Sequence, residues 1–375
     1  MYNLTVLTSS RADYSIYKPL LYLLAKEPKI NLQLVAFGTH TATAFGYTAD
    51  AIRKDGFDID KELPFVLDGS SPKTITDSMA KTMEQFADVW ETLTTDLIIC
   101  LGDRYEMFAA VAASVPFAIP VAHIHGGETT LGAMDNVFRH SLTHMSSLHF
   151  AGCEVYRERI IELKGSDDNI FNTGALSIDN LQSLQLLSKE QFAEKFGVDL
   201  NKPTLLTTFH PETVSFNRNE DYAKQLYVAL EKLSGEFQVI ITMPNADTMG
   251  NVIRKEMQAL AEKNKRTVFA FENLGTIGYL SSMKYCAMLV GNTSSGFVEA
   301  SYFPKWVVNL GRRQAGRLLT ENIRTIEIEA ELIVKTVKAL SRVTVPSIQH
   351  PYGKGQAASA MMQHIMTFLK STKTA

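Results

Sequence analysis

Along the chain, short runs of β-branched and aliphatic residues alternate with longer stretches whose apolar positions recur at helical spacing. That alternation predicts βαβ units and parallel sheets covered on both faces. In the first half, strands are expected over Leu4–Leu7, Leu32–Phe37, Asp96–Cys100, Ala118–His123 and Leu148–Gly152. Helices are expected from about Tyr14, near Ala44–Lys54, and over Tyr105–Ser114, Val137–Met145 and Glu154–Leu163. The pattern restarts after Gly174 with a helix over Leu181–Lys195, a strand over Thr204–Phe209 and a helix over Ala223–Leu233. Strands at Val239–Met243, Thr267–Ala270, Met288–Val290 and Trp306–Leu310 follow, with helices between them. The polar stretch Gly174–Asn180 reads as the interdomain linker, giving an N-terminal domain over 1–178 and a second over 179–353. The fold class is therefore α/β, two Rossmann-like doubly wound domains whose binding loops are expected to face each other across a cleft.

Size agrees with this reading, because 375 residues exceed what one ordinary core organises. An apolar fraction of 45% and a charged fraction of 21% describe a globular chain. The net charge of -3, with acids and bases interspersed, supplies no field for nucleic acid. The three cysteines, Cys100, Cys153 and Cys286, have neither metal-ligand spacing nor a disulfide pattern, which suits a reducing compartment. The N-terminus reads as a first strand and not a signal peptide. The longest apolar run, Met107 to Val121, is broken by Pro116 and Pro120 and is too short for a bilayer. A cytoplasmic protein without membrane or nucleic-acid partners is expected.

Chemistry collects at the ends of the expected strands. Gly102-Asp103-Arg104-Tyr105-Glu106 puts a carboxylate at one strand edge, where Asp103 either caps the next helix or enters the crevice. His123-Ile124-His125-Gly126-Gly127-Glu128 ends the next strand; its paired glycines admit close backbone approach. Two histidines at i, i+2 of a strand could share a metal, but no third ligand stands at a supporting spacing and no metal is expected. Asp135, Asn136, Arg139 and His140 fall on one helical face, either a polar working face or a solvated one with Val137 and Leu142 turned to the core.

In the second half His210 precedes Pro211 and so projects from a strand end. A polar loop, Pro244-Asn245-Ala246-Asp247-Thr248, follows the next strand. Gly291-Asn292-Thr293-Ser294-Ser295-Gly296 lies before an expected helix over Phe297–Tyr302, an arrangement that offers N–H groups, hydroxyls and a helix dipole to an anion. Gly311-Arg312-Arg313-Gln314-Ala315-Gly316-Arg317 is a local basic pocket suited to a diphosphate. A dinucleotide-dependent oxidoreductase would share the layout, yet no G-x-G-x-x-G follows any expected strand.

These blocks, together with Arg139-His140-Ser141, Phe209-His210-Pro211-Glu212-Thr213 and Pro351-Tyr352-Gly353-Lys354-Gly355, occur in one order along nearly the whole chain. In this the sequence resembles the hydrolysing UDP-N-acetylglucosamine 2-epimerases of bacterial sialic acid synthesis. The resemblance implies the glycosyltransferase-B fold, with a C-terminal helix, Gln356–Leu369 within 354–375, crossing back to the first domain. It implies anti-elimination of UDP to a 2-acetamidoglucal and addition of water to give N-acetylmannosamine, with no cofactor.

By the same resemblance Asp103, Glu128, Asp135 and His210 are the catalytic set. The substrate and UDP are assigned to Arg11, His40, Arg139, Asn245, Ser294, Ser295, Gly296, Glu299, Arg313 and Arg317, with Glu299 on the ribose and a uracil pocket near Phe271–Thr276. One departure stands out: related enzymes often carry two acids where this chain has Asp135-Asn136, which leaves Asp135 alone there. A homodimer or homotetramer is implied. The rival readings are the same chemistry on UDP- or GDP-N,N'-diacetylbacillosamine, a retaining glycosyltransferase, and a non-catalytic nucleotide-sugar sensor.

Overall fold

The computed structural model describes residues 1–43, 46–64, 71–212, 216–244 and 250–372. Asn245, Thr213 and the start of the helix expected at Ala44 lie outside the described residues. In chain order the first elements are β1 (Tyr2–Thr8), α1 (Arg11–Lys26), β2 (Ile30–Ala36), α2 (Ala49–Lys54), β3 (Lys61–Glu62) and α3 (Pro72–Thr92). Next come β4 (Leu97–Leu101), α4 (Tyr105–Ser114), β5 (Val121–Ile124), α5 (Asp135–Met145), β6 (Leu148–Ala151), α6 (Glu154–Lys164), β7 (Ile170–Asn172) and α7 (Leu176–Ser183). The remainder is α8 (Lys189–Phe196), β8 (Thr204–Thr208), α9 (Asn219–Leu233), β9 (Gln238–Thr242), α10 (Gly250–Lys263), β10 (Val268–Phe271) and α11 (Gly275–Tyr285). It closes with β11 (Met288–Gly291), β12 (Trp306–Leu310), β13 (Ile323–Ile326), α12 (Ala330–Leu340) and α13 (Ala357–Thr372).

The strands form two parallel sheets, ordered β3-β2-β1-β4-β5-β6-β7 and β10-β9-β8-β11-β12-β13. Each reverses direction of growth beside its first strand, at β1/β4 and β8/β11, the switch point where doubly wound sheets bind ligands. Both are Rossmann-like. In the first sheet the period-2 alternation sends Leu4, Val6, Leu97 and Ile99 into one core and Leu7, Ile98 and Cys100 into another. Both faces are thereby dry, which is why these strands read as unbroken apolar runs. The second sheet repeats the arrangement, with Leu205, Val239 and Val290 on one side and Leu206, Ile240 and Leu289 on the other.

By contacts the chain divides into one unit of 1–128, 135–182 and 351–375 and another of 129–134 and 183–350. Thr129–Met134, which the sequence reading counts with the N-terminal domain, is thus grouped with the second unit. Helix α13 is part of the first core: Met361, Ile365 and Leu369, at i, i+4 and i+8, are fully buried. Its first amides, of Ala357 and Ala358, donate to the Asp179 carboxylate at 3.0 and 2.8 Å, so a residue of α7 serves as its cap.

Several expectations are corrected. Gly174–Asn180 is not a linker, because α7 begins within it and buries Leu176, Ile178 and Leu181 in the first unit. The single helix expected over Leu181–Lys195 is two, since Ser188 and Gln191 form a capping box that starts α8 afresh. The helix expected over Phe297–Tyr302 is a pair of 3-10 turns, Ser294–Gly296 and Glu299–Ser301. Pro304 follows closely, and proline disfavours α geometry in the residue before it, so a helix begun here has no room to extend. Helix α3 was missed because its buried stripe carries Ser78 and Thr82 between Ile75 and Phe86. The short strands β3, β7 and β13 were missed as well.

Candidate active site

In the first unit β4 ends at Leu101, and Gly102 turns the chain at φ 81°. The cap position of α4 is Arg104, with no side-chain cap, so Asp103 does not perform the capping job. Its carboxylate instead pairs with the Arg139 guanidinium. Arg139 is only 3% exposed, and its Nη1 donates to the His125 carbonyl at 2.9 Å and reaches Glu128 Oε2 at 3.4 Å. Val137 is 66% exposed and Arg139 is buried, so of the two readings of this helix the solvated one, with Val137 turned to the core, does not hold. Leu142 is buried. Asp135 is the first residue of α5, where the helix dipole favours a negative charge.

Strand β5 stops at Ile124, and His125 adopts φ 64°, a left-handed conformation costly for a side-chain-bearing residue. The two histidines therefore do not share a strand face. His123 donates from Nε2 to the Gly102 carbonyl at 2.8 Å and presents Nδ1 to the Thr143 hydroxyl at 3.2 Å. Burial pulls its pKa down to about 4 and keeps the ring neutral. His125 places Nδ1 2.7 Å from Glu128 Oε1. Among the described residues no group of three His, Cys, Asp or Glu side chains is placed to hold a metal. Of the glycines between the two residues Gly127 is obligatory: a Cβ there would stand 2.2 Å from the Tyr156 carbonyl oxygen.

His40, expected to contact the substrate, lies in the interior of the first unit. It has no exposure, with Nε2 2.9 Å from the Thr8 hydroxyl and Nδ1 2.8 Å from the Thr48 hydroxyl. Thr8 in turn donates to Asp13, whose carboxylate also accepts from the Ser9 and Ser10 amides at 2.8 and 2.9 Å. His40 thus fixes the β1–α1 loop. Arg11, the first residue of α1, is exposed.

In the second unit three loops are knitted at the ends of β8, β11 and β12. Asn292 accepts from the His210 amide at 2.7 Å and donates to the His210 carbonyl at 2.8 Å. Gln314 donates to the Asn292 carbonyl at 2.8 Å. Glu212, 3% exposed, accepts from the amides of Arg312 at 2.5 Å and Arg313 at 3.1 Å. Thr129–Met134 lies on the same loop: Leu131 donates to the Ala315 carbonyl at 3.0 Å, and a Cβ on Gly132 would meet the Arg312 carbonyl at 2.6 Å. Asn292, Glu212, Gln314 and this segment were not on the expected list of site residues, although the first three lie inside the quoted motifs.

Ser294 is exposed, and Ser295 shares its hydroxyl with Tyr279 and Thr293. Burial raises the Tyr279 phenol to about 12, so it stays protonated. Gly296 is buried, and Glu299 opens the next 3-10 turn. With no α-helix after the serines, anion attraction falls to local N–H and hydroxyl groups and not to a long dipole. Arg312 is exposed and faces Glu327 at 3.5 Å, Arg313 is half-buried, and Arg317 is buried.

Two doubly wound units, one with an acid and imidazole cluster at its strand ends and the other with hydroxyl and arginine loops, define a nucleotide-using enzyme class. The chain belongs to the UDP-N-acetylglucosamine 2-epimerase family, whose model matches residues 23–366. It is 34% identical to a hydrolysing GDP/UDP-N,N'-diacetylbacillosamine 2-epimerase of Campylobacter jejuni, across 86% of this chain and 84% of the relative. It is 33% identical to a polysialic acid biosynthesis protein of Escherichia coli, across 99% and 95%. Among solved structures it superposes on the UDP-GlcNAc 2-epimerase of Neisseria meningitidis bound to UDP-GlcNAc, with a TM-score of 0.81, 19% identity and coverage of 98% and 100%. The fold is that of these epimerases, and the chain is an enzyme of the UDP-sugar 2-epimerase type. Among the described residues no helix is long and apolar enough to cross a membrane.

Proposed function

We propose that this enzyme is a hydrolysing 2-epimerase that removes UDP from a 2-acetamido sugar and inverts carbon 2, with UDP-N-acetylglucosamine as substrate and N-acetylmannosamine as product. The observation that carries the reading is buried Arg139 holding Asp103 and Glu128 together at the strand ends. In the first step the C2–H bond breaks, its electron pair forms the C1=C2 double bond, and the C1–O bond releases its pair to the diphosphate. In the second, water adds at carbon 1 and a proton returns to carbon 2 on the opposite face. Two acid/base groups are therefore needed, and Asp103, Glu128 and Asp135 are the available carboxylates. His210, Ser294–Gly296, Arg313 and Arg317 would receive the charge developing on the leaving UDP. Arg11 and Arg139 would contact the substrate, Glu299 the ribose, and Asn245 completes the binding set.

A second reading is favoured by the 34% identity to the Campylobacter jejuni enzyme: the same chemistry on UDP- or GDP-N,N'-diacetylbacillosamine. Incubation with each sugar nucleotide in deuterated water, with free nucleotide and product followed by mass spectrometry, tests both. The expected result is nucleotide release with one deuterium at carbon 2. Release from the diacetylbacillosamine nucleotides alone transfers the assignment, and release without deuterium at carbon 2 removes the elimination mechanism.

A further inference from the structure

Resting on that reading of the reaction, we infer that His125 is the group that touches carbon 2, and that Glu128 acts through it. Both carboxylate oxygens of Glu128 are engaged, Oε1 by His125 Nδ1 at 2.7 Å and Oε2 by Arg139 Nη1 at 3.4 Å, and the residue is 2% exposed. Each oxygen keeps a lone pair, but at 2% exposure the carboxylate presents almost no surface to a sugar. The imidazole has the opposite arrangement: its Nε2 is buried, and no described protein group donates to it or accepts from it. A buried polar atom left open by the protein is costly and marks a place reserved for a ligand or for chemistry.

The backbone agrees. His125 is held at φ 64° by the Arg139 bond to its own carbonyl, and strain of this kind persists where the surroundings over-determine a functional residue. Its ring lies beside Gly152, where an added Cβ would be in ordinary contact with Nδ1 at 3.6 Å.

The tautomer follows from the partners. An ionised Glu128, paired with Arg139, can only accept, so Nδ1 carries the proton and Nε2 the lone pair. That is a carboxylate–imidazole dyad in which the acid orients and balances the ring. In the elimination Nε2 takes the proton from carbon 2, the C–H electrons form the C1=C2 bond, and the diphosphate leaves with the C1–O pair. The imidazolium formed is neutralised by Glu128 across the Nδ1–H bond. Asp103 and Asp135 remain for the return of a proton from the other face.

The test uses the full chain with UDP-N-acetylglucosamine and with the UDP and GDP forms of N,N'-diacetylbacillosamine, whichever the wild type turns over, and measures binding of the released nucleotide, written UDP below, by calorimetry alongside turnover. His125→Gly, which suits the positive φ, is expected to bind UDP within a few-fold of wild type and to lose turnover by roughly 10²–10⁴-fold. Added imidazole is expected to restore that variant at least about tenfold, and to do nothing for Glu128→Gln. The inference is overturned by a His125→Gly that turns over near the wild-type rate, or by one that binds UDP but gains nothing from imidazole. Should the glycine variant fail to bind UDP, His125→Gln decides: it keeps a hydrogen bond to Glu128 but has no basic nitrogen. Loss of its turnover with UDP binding intact supports the dyad, and retained turnover sinks it. If wild type releases no nucleotide from either sugar, the reaction assignment itself fails and the inference goes with it; active variants beside active wild type refute His125 alone.

Discussion

Arg139 ties the first unit's cluster together at the level of single side chains. A guanidinium 3% exposed between Asp103 and Glu128 is stable only while both charges face it. Arg139→Leu is therefore expected to destabilise the protein by roughly 3–5 kcal/mol, read from chemical denaturation. Asp103→Asn and Glu128→Gln should both keep UDP binding and lose most turnover; wild-type rates in both would remove the carboxylates from the mechanism. A pH effect follows from the buried histidines. Burial depresses His123 to about 4 and His149 to about 3, so the folded state refuses protons that the unfolded chain takes up below about 6.5. Stability from these groups is thus full above that pH and is lost as pH falls from about 6.5 toward 4 for His123 and toward 3 for His149. The melting temperature should drop across this window, and His149→Phe should flatten the slope; an unchanged slope would show that His149 contributes nothing to it.

Among loops and helices, backbone geometry makes the demands. Gly127 combines φ 74° with a 2.2 Å approach to the Tyr156 carbonyl, so Gly127→Ala should cost at least roughly 1–3 kcal/mol, seen as a lowered melting temperature. In the second unit Glu212 accepts from the amides of Arg312 and Arg313, and Glu212→Gln is expected to loosen the arginine loop and weaken UDP binding about tenfold by calorimetry. Elements with a clean period were legible in the sequence: α4 was placed at both ends, as was β12. Helix α3 was not, because Ser78 and Thr82 occupy its buried stripe, and hydroxyls there interrupt the apolar signal without opening the packing. The turns after Ser294 were misread because a run of small hydroxyl residues announces a helix start and says nothing of its length. The loops at strand ends were legible as chemistry, yet the pairing of Asp103 with Arg139 was not, since those residues meet through the order of β4 and β5 and not through spacing. His40 shows the converse, a polar loop residue that tertiary packing took into the interior.

Across the molecule, the first unit is assembled from both ends of the chain. Residues 351–375 belong to it, and α13 supplies Met361, Ile365 and Leu369 to the core that Leu20 and Leu24 of α1 also line. Removing residues 357–375 should therefore unfold the first unit while the second retains its own transition, which calorimetry resolves as a lost peak. A milder change, Asp179→Ala, removes the acceptor for the Ala357 and Ala358 amides and should lower stability by about 1 kcal/mol.

The late arrival of α13 also has a consequence during synthesis. A chain made from its N-terminus exposes α1 and β1 early, but the helix that covers them is translated only after the whole of residues 183–350. At about 5–20 residues per second, the nascent first unit waits on the order of ten seconds or more with an apolar face open on the ribosome. The second unit, whose core is drawn from one continuous stretch, is free to finish first, so the unit that comes first in the gene is the last to close.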